Sequence, residues 1–194
     1  SLLGAQEAAS QPVRGGLAAL AIGVAVIGTI VSLGFLSAID RATTDTAMAG
    51  DPWDLALVPS GADPTEVVAT LGTTPGVASW YSDLERRSTF NDGAFLSVAT
   101  GGDPAAARYR IAEGHGLRGS GQAIVGYGFM DRFDVSVGDQ IDFLAGTTPL
   151  SVDIVGWYRD TEDSGEILRY RIEDLAAAEP GTVPDVYRVT LTPD

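Results

Sequence analysis

Residues 113–119 read EGHGLRG, so Gly114, His115, Gly116, Leu117, Arg118 and Gly119 form a G-x-G-x-x-G string around the only histidine of the chain. In a dinucleotide-binding loop such glycines permit a tight turn and bring backbone N–H groups against a pyrophosphate at a helix N-terminus. That chemistry needs a strand before the loop and a helix after it. The residues after Gly119 are SGQAIVGYGF. Among them, Gly121, Gly126 and Gly128 would together cost a helix about 3 kcal/mol relative to alanine. Ala123, Ile124 and Val125 read as a strand instead. Asp134 stands at the offset of a ribose-binding acid, a coincidence of little weight among 26 acids. The loop is expected to be a glycine-rich turn without a cofactor.

His115 alone is a candidate general base, but nucleophilic catalysis also needs an activated serine, an orienting acid and an oxyanion hole, and no G-x-S-x-G string is present. A solvated loop histidine is the favoured reading. Asp131, Asp134, Asp139 and Asp142 supply hard oxygen ligands of the kind calcium takes. Their spacing is not that of an EF-hand, and a solvated acidic loop is favoured over a metal site. No catalytic, cofactor-binding or metal-binding residue is assigned, no cofactor is expected, and the chain is not expected to be an enzyme.

The formal net charge is -14, and all 12 basic residues are arginine. An acidic surface repels phosphate backbones, so nucleic acid is not an expected partner. The absence of cysteine excludes disulfides, thiolate catalysis and Cys-based zinc or iron–sulfur sites.

Between Arg14 and Asp40 there is no charged residue. As a helix, residues 15–39 would extend roughly 37 Å at 1.5 Å per residue, against about 30 Å of bilayer hydrocarbon. A transmembrane helix over 15–40 is therefore expected. A buried soluble helix rarely runs so far without a polar face. A signal peptide, suggested by Ala47, Met48 and Ala49, would need a far shorter apolar core. Small residues recur four apart (Ala19 and Gly23, Gly28 and Ser32, Gly34 and Ala38), the spacing through which membrane helices approach one another, although alanine and glycine are common throughout this chain. Arg14 and Arg41 tie under the positive-inside rule and leave orientation open.

Beyond residue 40, short apolar runs broken by Gly, Pro, Asp and Ser predict a folded α+β domain with many strands. Residues 53–58 read as a strand. Asp63, Pro64 and Glu66 form a helix start, with Val67, Val68 and Leu71 expected to be buried before a stop at Gly72. Residues 77–84 and 95–99 read as strands on either side of Asn91, Asp92 and Gly93, making a small β-α-β-β unit. Residues 123–125, 140–144 and 151–157 are strand-like, 128–133 suit a helical turn, and 173–178 a short helix ended by Pro180 and Gly181. Residues 186–192 alternate with period two, as a half-buried strand should. Trp80, Tyr81 and Tyr127 are candidates for a contact face, with half-buried core positions the favoured reading.

Several strings taken together resemble the MacB/FtsX-type ABC transporter permeases, specifically their extracytoplasmic core domain. They are the apolar run after Pro12, Val13 and Arg14 (with residues 20–25 inside it), Trp53-Asp54-Leu55, Pro75-Gly76-Val77, Glu113-Gly114-His115, Ala123-Ile124-Val125-Gly126, Val137-Gly138-Asp139 and Ile154-Val155-Gly156. Arginine is usual in that family where His115 stands here. The resemblance implies a juxtamembrane segment (1–14), a transmembrane helix (15–40) and a two-lobed extracytoplasmic domain (41–194). Lobe 1 would be 51–103 with 185–194, and lobe 2 a strand-rich insert, 104–184. It further implies a multi-pass cell-membrane permease that does no chemistry itself. Such a permease couples ATP hydrolysis by a cytoplasmic ABC ATPase subunit to movement of the outer domain, which exports, extracts or signals to a substrate outside the membrane. Implied partners are that ATPase, further permease spans or a second permease half, membrane lipid, and an extracytoplasmic protein or lipophilic substrate. The alternative is a single-pass, membrane-anchored binding or sensor domain without an ATPase.

Overall fold

The computed structural model describes residues 53–59 and 61–192. The segments 1–14 and 15–40, the link after them, and Ala47, Met48 and Ala49 lie outside the described residues. Among the described residues no helix is long and apolar enough to cross a membrane.

Strand β1 (Leu55–Leu57) is followed by helix α1 (Pro64–Thr73). Asp63 caps α1 by accepting a hydrogen bond from the Thr65 N–H at 2.7 Å, and proline takes the first turn, where no amide partner is needed. Leu71 is buried and Val67 half-buried, but Val68 is exposed, contrary to expectation. Val67 and Leu71 are four apart on one helix face, and about 100° of rotation carries Val68 off it.

Strands β2 (Val77–Phe90) and β3 (Gly93–Gly102) run longer than the sequence suggests. They are paired from Tyr81↔Gly102 to Phe90↔Gly93. Asn91 and Asp92 both have positive φ, 47° and 62°, as a two-residue hairpin loop matched to the twist of its strands requires. Then come β4 (Ile111–Gly114), β5 (Gln122–Gly126), α2 (Tyr127–Phe133), β6 (Gln140–Ala145), β7 (Thr148–Tyr158), β8 (Ile167–Arg171), α3 (Ile172–Ala178) and β9 (Val186–Leu191). Strands β4 and β8 were not apparent in the sequence.

The sheet is mixed, with strand order β1-β9-β2-β3-β8-β5-β7-β4, and β6 pairs with both β7 and the far end of β2. The pairings β2-β3-β8-β5-β7-β6 thus return to β2 and close a six-stranded barrel. Among the described strands only β3-β8 and β5-β7 pair in parallel. The long β2 serves two neighbours along one edge, β9 at residues 77–83 and β6 at Ser88 and Thr89. Strands from residues 55–102 and 186–191 are contiguous in the order, and so are those from 111–171.

Alternation sends one set of side chains inward. Leu84, Phe95, Ala99, Ala123, Val125, Ile141, Phe143, Val152, Ile154, Leu168 and Tyr170 make a continuous buried core. Helix α2 brings Phe129 and Phe133 against Phe90 and Phe95, with ring centroids 4.9–6.2 Å apart. Helix α3 buries Leu175 and sets Ile172 against Gly101, toward the opposite end of β3. The outer faces of β2, β3, β8 and β5 are covered in turn by residues 103–111, which carry a 3-10 turn at Pro104–Ala107.

Candidate functional site

The outer face of the β2-β3-β8 seam holds charge where a core would normally hold carbon. Because Tyr81 and Asp83 share parity on β2, and Ile167 and Arg169 on β8, each strand sends one charged side chain under the cover of residues 103–111. The side chains of Arg169 and Asp83 are 1% and 0% exposed and lie 3.1 Å apart, Nη1 to Oδ2. Thr100 of β3 donates to the other carboxylate oxygen of Asp83 at 2.9 Å. Arg169 Nε donates to the Tyr158 hydroxyl at 2.8 Å, and that hydroxyl donates to Asp160 at 2.8 Å. Arg188 of β9 reaches Asp83 at 3.5 Å and Glu85 at 3.4 Å.

Aromatic rings complete the enclosure. Tyr109 lies against the Arg169 guanidinium at 4.7 Å and Trp53 against that of Arg188 at 4.0 Å. Tyr81 and Tyr109 meet hydroxyl to hydroxyl at 3.3 Å. Burial raises the pKa of Tyr81, Tyr109 and Tyr158 above the ordinary phenol value. Burial works against the charge of Arg169, but Tyr109, Tyr158 and Asp83 outweigh it and raise its pKa further. The guanidinium and the carboxylates are thus paired, hydrogen-bonded and shielded from water. Each carboxylate oxygen of Asp83 and of Asp160 accepts a hydrogen bond, as charges buried this deeply require.

The glycine string is a turn. Gly114 ends β4, and the loop leads into β5, not a helix. The Arg118 and Gly119 amides are taken by Gln122 Oε1 at 2.9 and 3.3 Å, and the Gly121 amide by Asp174. Gly114 has φ +78°, and a Cβ there would strike the Val155 carbonyl, so glycine serves close strand packing. His115 is half-buried, its Nδ1 2.8 Å from the Gly116 carbonyl. The four aspartates do not converge: Asp131, Asp134, Asp139 and Asp142 are all exposed, and Asp139 accepts the Ser136 N–H. Among the described residues no group of three His, Asp or Glu has metal-binding geometry. Tyr81 is buried and Trp80 half-buried, whereas Tyr127 is exposed and packs on Trp157.

A similar fold is found in two solved structures. One is the periplasmic region of MacB from Actinobacillus actinomycetemcomitans, at TM-score 0.50 and 10% identity, over 67% of this chain and 65% of that one. The other is the extracellular domain of the noncanonic ABC-type transporter YknZ from Gram-positive bacteria, at TM-score 0.51 and 10% identity over 78% of each chain. The fold is that of a MacB-type extracytoplasmic domain. At this identity the likeness is one of fold, and the match spans just under two thirds of the MacB region. No protein-family model and no curated protein matches the chain. The family resemblance carried by the sequence strings is thus borne out in the MacB-type fold, α+β with a mixed sheet.

Sequence reasoning did not find Asp83 or Arg169. The available signal was a charge inside each of two strand-like runs, YSDL and ILRY, two residues after a large apolar or aromatic side chain, Tyr81 and Ile167.

Proposed function

We propose that this chain is the first transmembrane span and the extracytoplasmic domain of an ABC transporter permease. In this reading residues 15–40 cross the cell membrane and residues after about 40 lie outside it. The segments 51–103 with 185–194, and 104–184, act as two lobes that transmit the opening and closing of a cytoplasmic ATPase to an external substrate. The observation that carries the reading is the fold shared with extracytoplasmic domains of two ABC transporters. The long uncharged run before Asp40 supports a membrane anchor.

The junction at Asp83 suits such a role. Both connections between the proposed lobes pass it: Tyr109 of the outgoing connection packs on Arg169, and the Asp185 N–H of the returning one donates to the Asp83 carbonyl at 2.9 Å. Force carried between the lobes would cross a dry, directional ion pair with little slack.

The test is a Walker-motif substitution in the partner ATPase, with transport or signalling by the intact complex as readout. Loss of output supports coupling. Unchanged output removes it and favours the membrane-anchored sensor.

A further inference from the structure

We infer that the cleft between the turn Pro104–Ala107 and the loop 115–119 binds a small amphiphile, one anionic head group, carboxylate or phosphate, on a short aliphatic tail. The cleft has a volume of about 300 Å³, at the small end of ligand pockets. Its floor is Thr100, Ala107 and Ile124, all buried, and Tyr109, Ile111 and Leu117 form largely apolar walls. Arg108 and Arg118, both exposed, stand at its mouth.

The charges select the head group. Six of the ten described arginines, at 86, 87, 132, 169, 171 and 188, each pair with an acid. Arg108, Arg110, Arg118 and Arg159 enter no ion pair among the described residues, and of these four Arg108 and Arg118 line the cleft. The acids lining the adjoining cavity are engaged: Asp103 accepts the Ala105 N–H and Glu173 holds Arg171. Arg108 is moreover held in the left-handed region, φ 43°, a conformation unfavourable to its Cβ. The mouth therefore presents two guanidinium groups without an ion-pair partner among the described residues, above a buried, largely apolar floor. An anion gains from both, and a cation or a neutral head does not.

The cleft also shares Thr100 and Tyr109 with the Asp83–Arg169 junction, so an occupant touches the seam itself. Binding here does not depend on ATPase coupling, and its test contains no nucleotide.

The full chain in phosphatidylcholine nanodiscs is irradiated with diazirine-bearing octanoate, octanamide or octyltrimethylammonium, and the label is mapped by peptide mass spectrometry. The octanoate label is expected between residues 105 and 124. It should be about tenfold weaker for the amide and the cation, and about tenfold weaker in R108Q/R118Q, the loss expected of roughly 1.4 kcal/mol. R87Q, which breaks a pair elsewhere, should leave it unchanged. Both rim arginines are exposed, and an unchanged unfolding midpoint establishes that the double variant is folded. Equal labelling by all three probes, undiminished labelling of the double variant, or label mapping elsewhere overturns the site. Competition by phosphatidylglycerol assigns the head to a membrane lipid, and labelling without competition assigns it to a soluble acid; both support the site.

Discussion

Arg169 and Asp83, 86 residues apart in the chain, meet at 3.1 Å in a place that water does not reach. Removing one partner strands the other charge. Asp83→Leu and Arg169→Met are each expected to destabilise the protein by about 3–5 kcal/mol, read by urea denaturation. The double variant Asp83→Leu/Arg169→Met should recover much of that loss, since an apolar pair of similar volume needs no desolvation. Additive losses would show that the pair does not act as a unit. If the junction transmits force, the recovered double variant remains defective in transport.

Gly114 and Gly116 differ in kind although the same string contains both. Gly114→Ala places a Cβ against the Val155 carbonyl at positive φ and is expected to cost about 1–2 kcal/mol from backbone conformation alone, with the clash added. Gly116→Ala and Gly119→Ala meet nothing within 4 Å and should fall within about 0.5 kcal/mol of the parent. A thermal-unfolding series over the three variants distinguishes strand packing from a phosphate cradle, which would require the later glycines too.

Buried phenols set an alkaline limit. Tyr81, Tyr109, Tyr158 and Tyr170 all have pKa values raised by burial, Tyr170 to about 12. The folded state therefore holds these protons more tightly than the unfolded state. Their contribution is fully present below pH 10 and is lost as pH rises through the folded values. Unfolding free energy should fall steeply above pH 10, with phenolate absorbance appearing together with unfolding. Ionisation of all four near pH 10 in the folded protein would contradict their burial.

At the acid end the sign reverses. The Thr65 backbone N–H and hydroxyl hold Asp63 below its ordinary value of 3.8. Its cap contributes above pH 3.8 and is lost as pH falls through the lower folded value. Asp63→Ala should lower the urea midpoint at pH 7, and the difference from the parent should shrink in acid. A gap independent of pH would assign the effect to helix propensity.

Much of the local structure was legible because its causes are local. Asp63 and Pro64 start α1, Asn91 and Asp92 turn the hairpin with their left-handed backbones, and the alternation of residues 186–191 places Tyr187 and Val189 in the core. The failure of the glycine string as a cofactor loop was also legible, since Ala-Ile-Val after it favours a strand. Strand β8 escaped notice because its arginine breaks the apolar run, and the energy of a charge in a strand depends on what lies across the sheet. The closure of the barrel through β2 and β6 rests on two register pairs, Ser88↔Ala145 and Thr89↔Leu144, that no local pattern encodes.

The sequence by itself determined an acidic, cysteine-free α+β domain behind a long uncharged run, because charge, composition and hydrophobic period are properties of neighbouring residues. The tertiary structure shows that Asp83 and Arg169 are buried together and that Arg108 and Arg118, without an ion-pair partner among the described residues, stand over a largely apolar cleft. Whether an ion is solvated, paired or stranded depends on residues brought near it in space, and the chain order does not state which those are.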